Sequence, residues 1–423
     1  MSSLAILGGT KAVPDGMIRK WPPIGEIDRQ YVLASLEGDN HSFGPNCAAF
    51  EEEFAAWNGN RFAITTNSGT AALHMAIAAC GCGAGDQVIV PAYSWSSSAT
   101  CVIHHNCIPI FVDIDFDSIN IDLDKIEAAI TPKTKAIILV HLHGLAVDMD
   151  KALAIARKHN LKVIEDACQS HGALYRGKKV GAFGDCAAFS FNQNKCLCSG
   201  DGGMFVTDDK EIAAAARQLW SFGELRTPVE SRDYHAYALG WMYRNNDLTA
   251  AFGRAQLTKL DSYLAAQRQH AAILKDELRG LPGLILPEEL EGHSHTYYNY
   301  TCRLDMDAIG WDGPPEVMRD AIMRALTAEG IPAHVWQRFI LPAMTVFQAK
   351  NAYGKGCPWS CRYGADVEYD PAQYPVAQRH SDTHFGMTYP LRPPNDKDIV
   401  LAVAKGFKKV FTNLDKITID PAG

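Results

Sequence analysis

Lys195 stands in FSFNQNKCLCSGDGGMF (189–205), a polar, glycine-rich break between AAFSF (187–191) and MFVT (204–207), which read as buried strands. A lysine is usually solvated at the surface. Core-type strands on both sides and no counter-charge beside it argue otherwise here. Desolvation favours the neutral, nucleophilic amine, which adds to carbonyls. Asp166 closes another apolar run, KVIED (162–166). A buried carboxylate costs free energy unless a cation meets it; a Lys or Arg neighbour and a cationic ligand serve equally well. Ser68, Gly69 and Thr70 lie in NSGTAAL (67–73), where a strand gives way to a helix. Free N–H groups at a helix start favour an anion, and a helix cap without ligand is the plain alternative. Trp95, in PAYSWSS (91–97), offers a flat ring for stacking. Taken singly, it is expected in the core.

A common frame must bring these residues together. FAITTN (62–67), QVIVPA (87–92), IPIFVDI (108–114), KAIILVH (135–141) and KVIED are short, mostly apolar and rich in β-branched residues. TAALHMAIAAC (70–80), DLDKIEAAI (122–130) and MDKALAIARKHN (149–160) between them carry helical patterns. This alternation predicts an α/β fold with a mostly parallel sheet flanked by helices on both faces. Ligands in such sheets bind beyond the carboxyl ends of the strands, where the residues above fall. A helix capped by Asp208 follows, then a long helix over about 246–279 that RGLPG (279–283) ends. Beyond it, strand HTYYNYTCRL (295–304), helix PPEVMRDAIMRALTAEG (314–330) and strand IPAHVW (331–336) suggest a smaller C-terminal α+β domain. Residues 341–385 show no regular pattern. The expected division is an N-terminal arm (1–40), a large domain (41–279) and a small domain (280–423).

One amine, one buried acid, one anion cradle and one flat ring, all at strand ends of a single sheet, match what pyridoxal 5′-phosphate needs. Its aldehyde forms a Schiff base with lysine, its ring nitrogen stays protonated beside an acid, and its phosphate is a dianion. No G-x-G-x-x-G follows the first strand, which excludes a nicotinamide dehydrogenase.

The ordered motifs TTNSGTAAL, VIVPAYSWSSSA, VHLHGLAVDMD, VIEDACQSHGALYRGKKVGAFGDCAAFSFNQNK and GDGG resemble the DegT/StrS family of pyridoxal-phosphate-dependent sugar and cyclitol aminotransferases. The likeness runs from about residue 20 to 270 and more loosely beyond. It implies fold-type I architecture and a homodimer with active sites shared between subunits. It also implies transfer of an amino group from glutamate or glutamine to a keto-sugar or keto-cyclitol, in antibiotic or polysaccharide biosynthesis. It matches Lys195 to the Schiff-base lysine, Asp166 to the acid on the pyridine nitrogen and Gln169 to the side chain near the ring hydroxyl. Trp95 takes the stacking position. Gly69 and Thr70, next to Ser68, take the phosphate turn, and Ser190 is the further phosphate ligand. His171 lies in the matched stretch, where packing is an equally good role. One departure stands out in GWMYRNNDLTAAFGRAQL (240–257). Met242 replaces an asparagine that crosses to the partner's phosphate, and methionine cannot donate that hydrogen bond. Arg244, Asn245 and Asn246 are at hand to replace it, with Arg244 taken as a cofactor contact. Relatives that keep the lysine but catalyse dehydrative aromatisation leave a lyase or dehydratase as the alternative.

Composition agrees with an enzyme acting on small molecules. Apolar residues make 47% of the chain and charged ones 21%, ordinary for a globular enzyme. The net charge of −8, with no basic cluster, excludes nucleic acid as partner. No apolar run approaches a membrane span or a secretory signal, so a cytoplasmic protein with twelve reduced cysteines is expected. CLC (196–198) and CGC (80–82) lack zinc-site spacing, and His141 with His143 lacks an acidic partner or further ligand, so no metal is expected. His293 and His295 beside PEELEG read as a solvated loop.

Overall fold

The computed structural model describes residues 3–225 and 234–417. Seven strands form the main sheet, in the spatial order Phe62–Thr66, Gly203–Thr207, Cys186–Ser190, Lys162–Asp166, Thr134–Val140, Gln87–Pro91, Ile108–Val112. Gly203–Thr207 runs antiparallel to both its neighbours, and the other adjacent pairs are parallel. The apolar character of both strand faces has a direct cause. Along Thr134–Val140, Ile138 and Val140 enter one core, while Ile137 and Leu139 enter the other. Helices Gly69–Ala79, Ser97–His104 and Lys210–Trp220 cover the first face through Met75, Val102 and Trp220. Helices Pro45–Asn58, Met149–His159 and the start of Asp247–Leu278 cover the second through Phe54, Met149 and Leu260.

The 32-residue helix Asp247–Leu278 ties the two parts of the molecule. At 1.5 Å per residue it extends about 48 Å. Leu260 and Leu264 pack under the large sheet, and Leu274 and Leu278 enter a third core. That core lies among the strands Leu284–Ile285, Tyr300–Leu304 and His384–Met387 and the helices Pro315–Ala328 and Lys397–Phe411. The N-terminal segment joins it. Leu4 and Val13 are buried there, and the N–H groups of Ala5 and Ala12 donate to the Glu329 carboxylate at 2.7 and 3.0 Å. Lys409, also buried, pairs with that carboxylate at 2.8 Å.

Several local expectations are corrected. The cap of helix Lys210–Trp220 is Asp209, which accepts from the N–H groups of Glu211 and Ile212; Asp208 accepts from the Arg61 N–H instead. Only Tyr300–Leu304 of 295–304 is a strand. Residues 331–336 pair just once with the sheet, at His334 and Gly386. His295 is buried with its ring stacked 4.1 Å from Tyr297, because the loop folds back under the long helix. His141 has an acidic partner after all, Glu165 at 2.9 Å. The twelve cysteines are not all thiols: the turn over residues 355–360 brings Cys357 and Cys361 to a Cα separation of 5.5 Å, and they form a disulfide. Residues 341–374 are mostly short helical turns and loops whose aromatic side chains, among them Phe347, Tyr369 and Tyr374, pack against Phe111 of the edge strand; the helix Pro375–Thr383 and the start of the strand His384–Met387 complete the stretch to 385. Among the described residues, no helix is long and apolar enough to cross a membrane, and no group of three or more His, Cys, Asp or Glu is arranged to hold a metal.

Candidate active site

A cavity of about 250 Å³ opens beyond the carboxyl ends of the central strands. Its floor begins at the helix Gly69–Ala79. Ser68 caps that helix, its hydroxyl accepting from the Ala71 N–H at 3.1 Å. The N–H groups of Gly69 and Thr70 are in the first turn, where no intrahelical acceptor exists. A side chain at 69 has no room: a Cβ there would stand 2.8 Å from both Cys168 Sγ and Ser190 Cβ. Glycine therefore lets the strand end at Ser190 close on the helix start, and Ser68, Gly69, Thr70 and Ser190 together line one end of the cavity.

Asp166 enters from the end of the strand Lys162–Asp166 and is 5% exposed. Its carboxylate accepts from the Ser98 hydroxyl at 2.6 Å and from the Cys168 N–H at 3.2 Å. Among the described residues it has no ion pair with any lysine, arginine or histidine. A buried acid so arranged leaves a cation to be supplied from the cavity. Gln169 follows on the same turn, and its amide oxygen accepts from the His143 N–H at 3.0 Å, leaving its NH₂ to donate. His143 directs that N–H from a left-handed conformation, φ 55°.

Trp95 is not in the core. It is 52% exposed and walls the cavity with Trp336, ring centroids 6.0 Å apart. Asn192, whose amide donates to Asp201 at 2.8 Å, and Asn194 add polar lining.

Lys195 reaches the cavity from a turn in which its own N–H donates to the Asn192 carbonyl at 2.8 Å. The amine stands 4.6 Å from the centroid of the buried Tyr298 ring. The structure thus brings Ser68, Gly69, Thr70, Trp95, Asp166, Gln169, Ser190 and Lys195 around one space. Arg244 does not join them within this chain. It bridges to Thr66, and its guanidinium lies 5.4 Å from the Phe222 ring. Met242 is half exposed on the same segment, its carbonyl accepting from the Asn67 amide at 3.4 Å. His171 packs between Phe189 and Phe191, and burial, with the Lys195 and Arg392 charges, drives its pKa down to about 3. It is a neutral packing group at ordinary pH. Burial also raises the Cys168 thiol well above its ordinary range, with the Asp166 charge adding to it.

The geometry agrees with what the chain resembles. Residues 22–369 match the model of the DegT/DnrJ/EryC1/StrS aminotransferase family. The chain belongs to this family. A GDP-perosamine synthase from Caulobacter vibrioides is 40% identical over 309 residues, 70% of this chain and 82% of that protein. An L-glutamine:2-deoxy-scyllo-inosose aminotransferase from Streptomyces lividus is 36% identical over 344 residues, 77% of this chain and 79% of that protein. The crystal structure of a 3-amino-5-hydroxybenzoic acid synthase superposes with a TM-score of 0.83 at 27% identity, covering 93% of this chain and 98% of that one. Family and fold make this protein an aminotransferase on a fold-type I scaffold.

Trp336, Tyr298, Asn192, Asn194 and Asp201 line the cavity and were not singled out in the sequence. The three polar residues flank Lys195 closely enough for proximity alone to nominate them. Tyr298 and Trp336 arrive from the C-terminal part, and only the fold connects them to Lys195.

Proposed function

We propose that this chain is a pyridoxal-phosphate-dependent aminotransferase that moves nitrogen from an amino acid, glutamate or glutamine, to the ketone of a sugar or cyclitol. Asp166 carries the proposal: a buried carboxylate, without an ion-paired cation of its own among the described residues, facing the cavity that Lys195 enters. The residues present fit the cofactor. Ser68, Gly69, Thr70 and Ser190 would take its phosphate, Trp95 its ring face, Gln169 its ring hydroxyl and Lys195 its aldehyde. The bound cofactor supplies an electron sink for the carbon that gives up its proton.

The protein's part follows from its own groups. Asp166, buried at a strand end, would hold a proton on the ring nitrogen of a bound cofactor by its charge. Lys195 would hold the cofactor aldehyde and, as the one amine lining the cavity among the described residues, would be the group to hold or move the donor carbon's proton. The Tyr298 ring stands beside the amine, its centroid 4.6 Å away, and bounds that side of the cavity. Trp95 and Trp336 narrow the entrance and present apolar faces to an acceptor ring, while Asn192, Asn194 and Asp201 offer hydrogen bonds to hydroxyls. We place the enzyme in the cytoplasm as a homodimer, with Arg244 and Met242 at the edge that meets the partner's site.

The test is to incubate loaded protein with glutamate or glutamine, follow loss of the visible absorbance, then add a panel of keto-sugars and keto-cyclitols. Return of the absorbance with an aminated product supports the proposal. A product that has lost water and gained no nitrogen would establish the dehydratase alternative instead.

A further inference from the structure

Arg392 lies beneath the turn that presents Lys195, fully buried at 0% exposure. Arginine is almost never buried to that degree without an acid. Among the described residues none pairs with this one. Its partners are main-chain oxygens. Nη1 donates to the Asn194 carbonyl at 2.8 Å and to the Lys195 carbonyl at 3.4 Å, and Nη2 donates to the Tyr298 carbonyl at 2.9 Å. The guanidinium fork therefore joins the lysine turn to the segment that supplies the Tyr298 ring. That ring faces Arg392 as well as Lys195, with its centroid 5.5 Å from the guanidinium carbon.

A third segment completes the arrangement. The Trp21 ring lies 5.0 Å from the Arg392 guanidinium, and its Nε1–H donates to the Lys195 carbonyl at 3.1 Å. The Gln193 amide donates back to the Trp21 carbonyl at 3.0 Å. Main-chain or side-chain groups of 193, 194 and 195 are thus held by residues more than 170 positions before and nearly 200 positions after them in the chain.

We propose that Arg392 is a positioning residue for Lys195: its fork, stacked on Trp21, locks the 193–195 turn against Tyr298 and so aims the amine into the cavity. The inference rests on the reading of Lys195 as the amine that binds the cofactor. A lysine side chain has four rotatable bonds, so the direction of its amine is only as definite as the main chain beneath it. Three carbonyls on two segments call for a planar multi-donor group. Lysine keeps the charge but cannot reproduce the fork.

Hydrogen exchange of cofactor-free protein, read by mass spectrometry on peptides covering 189–199 and 134–140, tests the clamp without the cofactor. Arg392→Gln and Arg392→Lys should both speed exchange in 189–199 about tenfold and leave 134–140 unchanged. Trp21→Phe keeps the ring, loses one donor and should speed it about threefold. In the loaded state, Arg392→Lys should slow cofactor attachment about tenfold while the final absorbance stays near the parent value. If Arg392→Gln fails to fold, Arg392→Lys and Trp21→Phe still decide the matter. Exchange in 189–199 at the parent rate in folded variants would overturn the proposal. So would an equal rise in both peptides, the mark of a merely structural arginine. Failure of the parent protein to take up cofactor would count against the aminotransferase reading, and the cofactor-free exchange would still judge the clamp.

Discussion

Replacing Asp166 by Asn removes a charge and leaves the shape, and its effect has opposite signs in the two states of the protein. Without cofactor, the carboxylate accepts from Ser98 at 2.6 Å and Cys168 at 3.2 Å, with no ion-paired cation among the described residues. The amide keeps one acceptor, and its NH₂ finds the Ser98 oxygen, which already shares a hydrogen bond with Ser94 at 2.8 Å. Losing a charge-assisted bond costs about 1.5–3 kcal/mol, while releasing a buried charge returns several. The cofactor-free variant should be as stable as the parent or up to about 2 kcal/mol more stable. In turnover the missing charge is felt at the cofactor ring, where one preorganised electrostatic contact is worth about 3–4 kcal/mol, or 10²- to 10³-fold in kcat. Denaturant unfolding of cofactor-free and loaded protein, with single-turnover rates, reads both numbers. A loss of about 3–5 kcal/mol in the cofactor-free protein, the cost of breaking a buried pair, would show that Asp166 is structural and refute the reasoning.

Gly69→Ala would place a methyl 2.8 Å from Cys168 Sγ and Ser190 Cβ, so stability should fall by about 1–3 kcal/mol and cofactor affinity at least tenfold, by thermal melting and equilibrium dialysis. Trp95→Ala removes a half-exposed ring; stability should change by less than about 1 kcal/mol, while cofactor retention weakens about three- to tenfold. The buried Glu165 accepts from the N–H groups of Gly181, Phe183 and Gly184 at 2.7, 2.8 and 2.7 Å and from His141 at 2.9 Å. Burial pushes its carboxyl up, but His141 and these donors together hold it below the ordinary value. A carboxyl depressed on folding stabilises above its unfolded pKa, and that stability is lost as pH falls through the folded value. Glu165→Gln should therefore lower stability at pH 7 by about 3–5 kcal/mol and flatten the acid limb of a stability–pH curve; an unchanged limb would contradict the assignment.

The sheet was legible because its strands are apolar on both faces and because Ser68, Asp166 and Ser190 each sit where a strand's pattern stops. The anion cradle, the buried acid and the lysine are all local features of that kind. What the sequence hid depends on contacts between distant segments. Trp95 reads as core by type, yet its place on the rim leaves it half exposed. Tyr298 sits in a run, HTYYNYTCRL, that looks like one strand, but the strand begins only at Tyr300 and the preceding loop turns the ring toward Lys195. Arg392 lies among prolines with no periodic pattern, and nothing in TYPLRPP tells that its partners are carbonyls 94 to 198 residues earlier. Residues 341–385 show no readable pattern because most of them pack as short turns on a sheet edge through scattered aromatic side chains rather than through a repeat.

The central claim is that Lys195 is the amine to which the cofactor aldehyde attaches. Borohydride reduction of loaded protein, followed by proteolysis and mass spectrometry, tests it directly. The cofactor's added mass should fall on the peptide containing Lys195, and Lys195→Ala should lose both that mass and the visible absorbance. Label on another lysine, or undiminished absorbance in that variant, would contradict it.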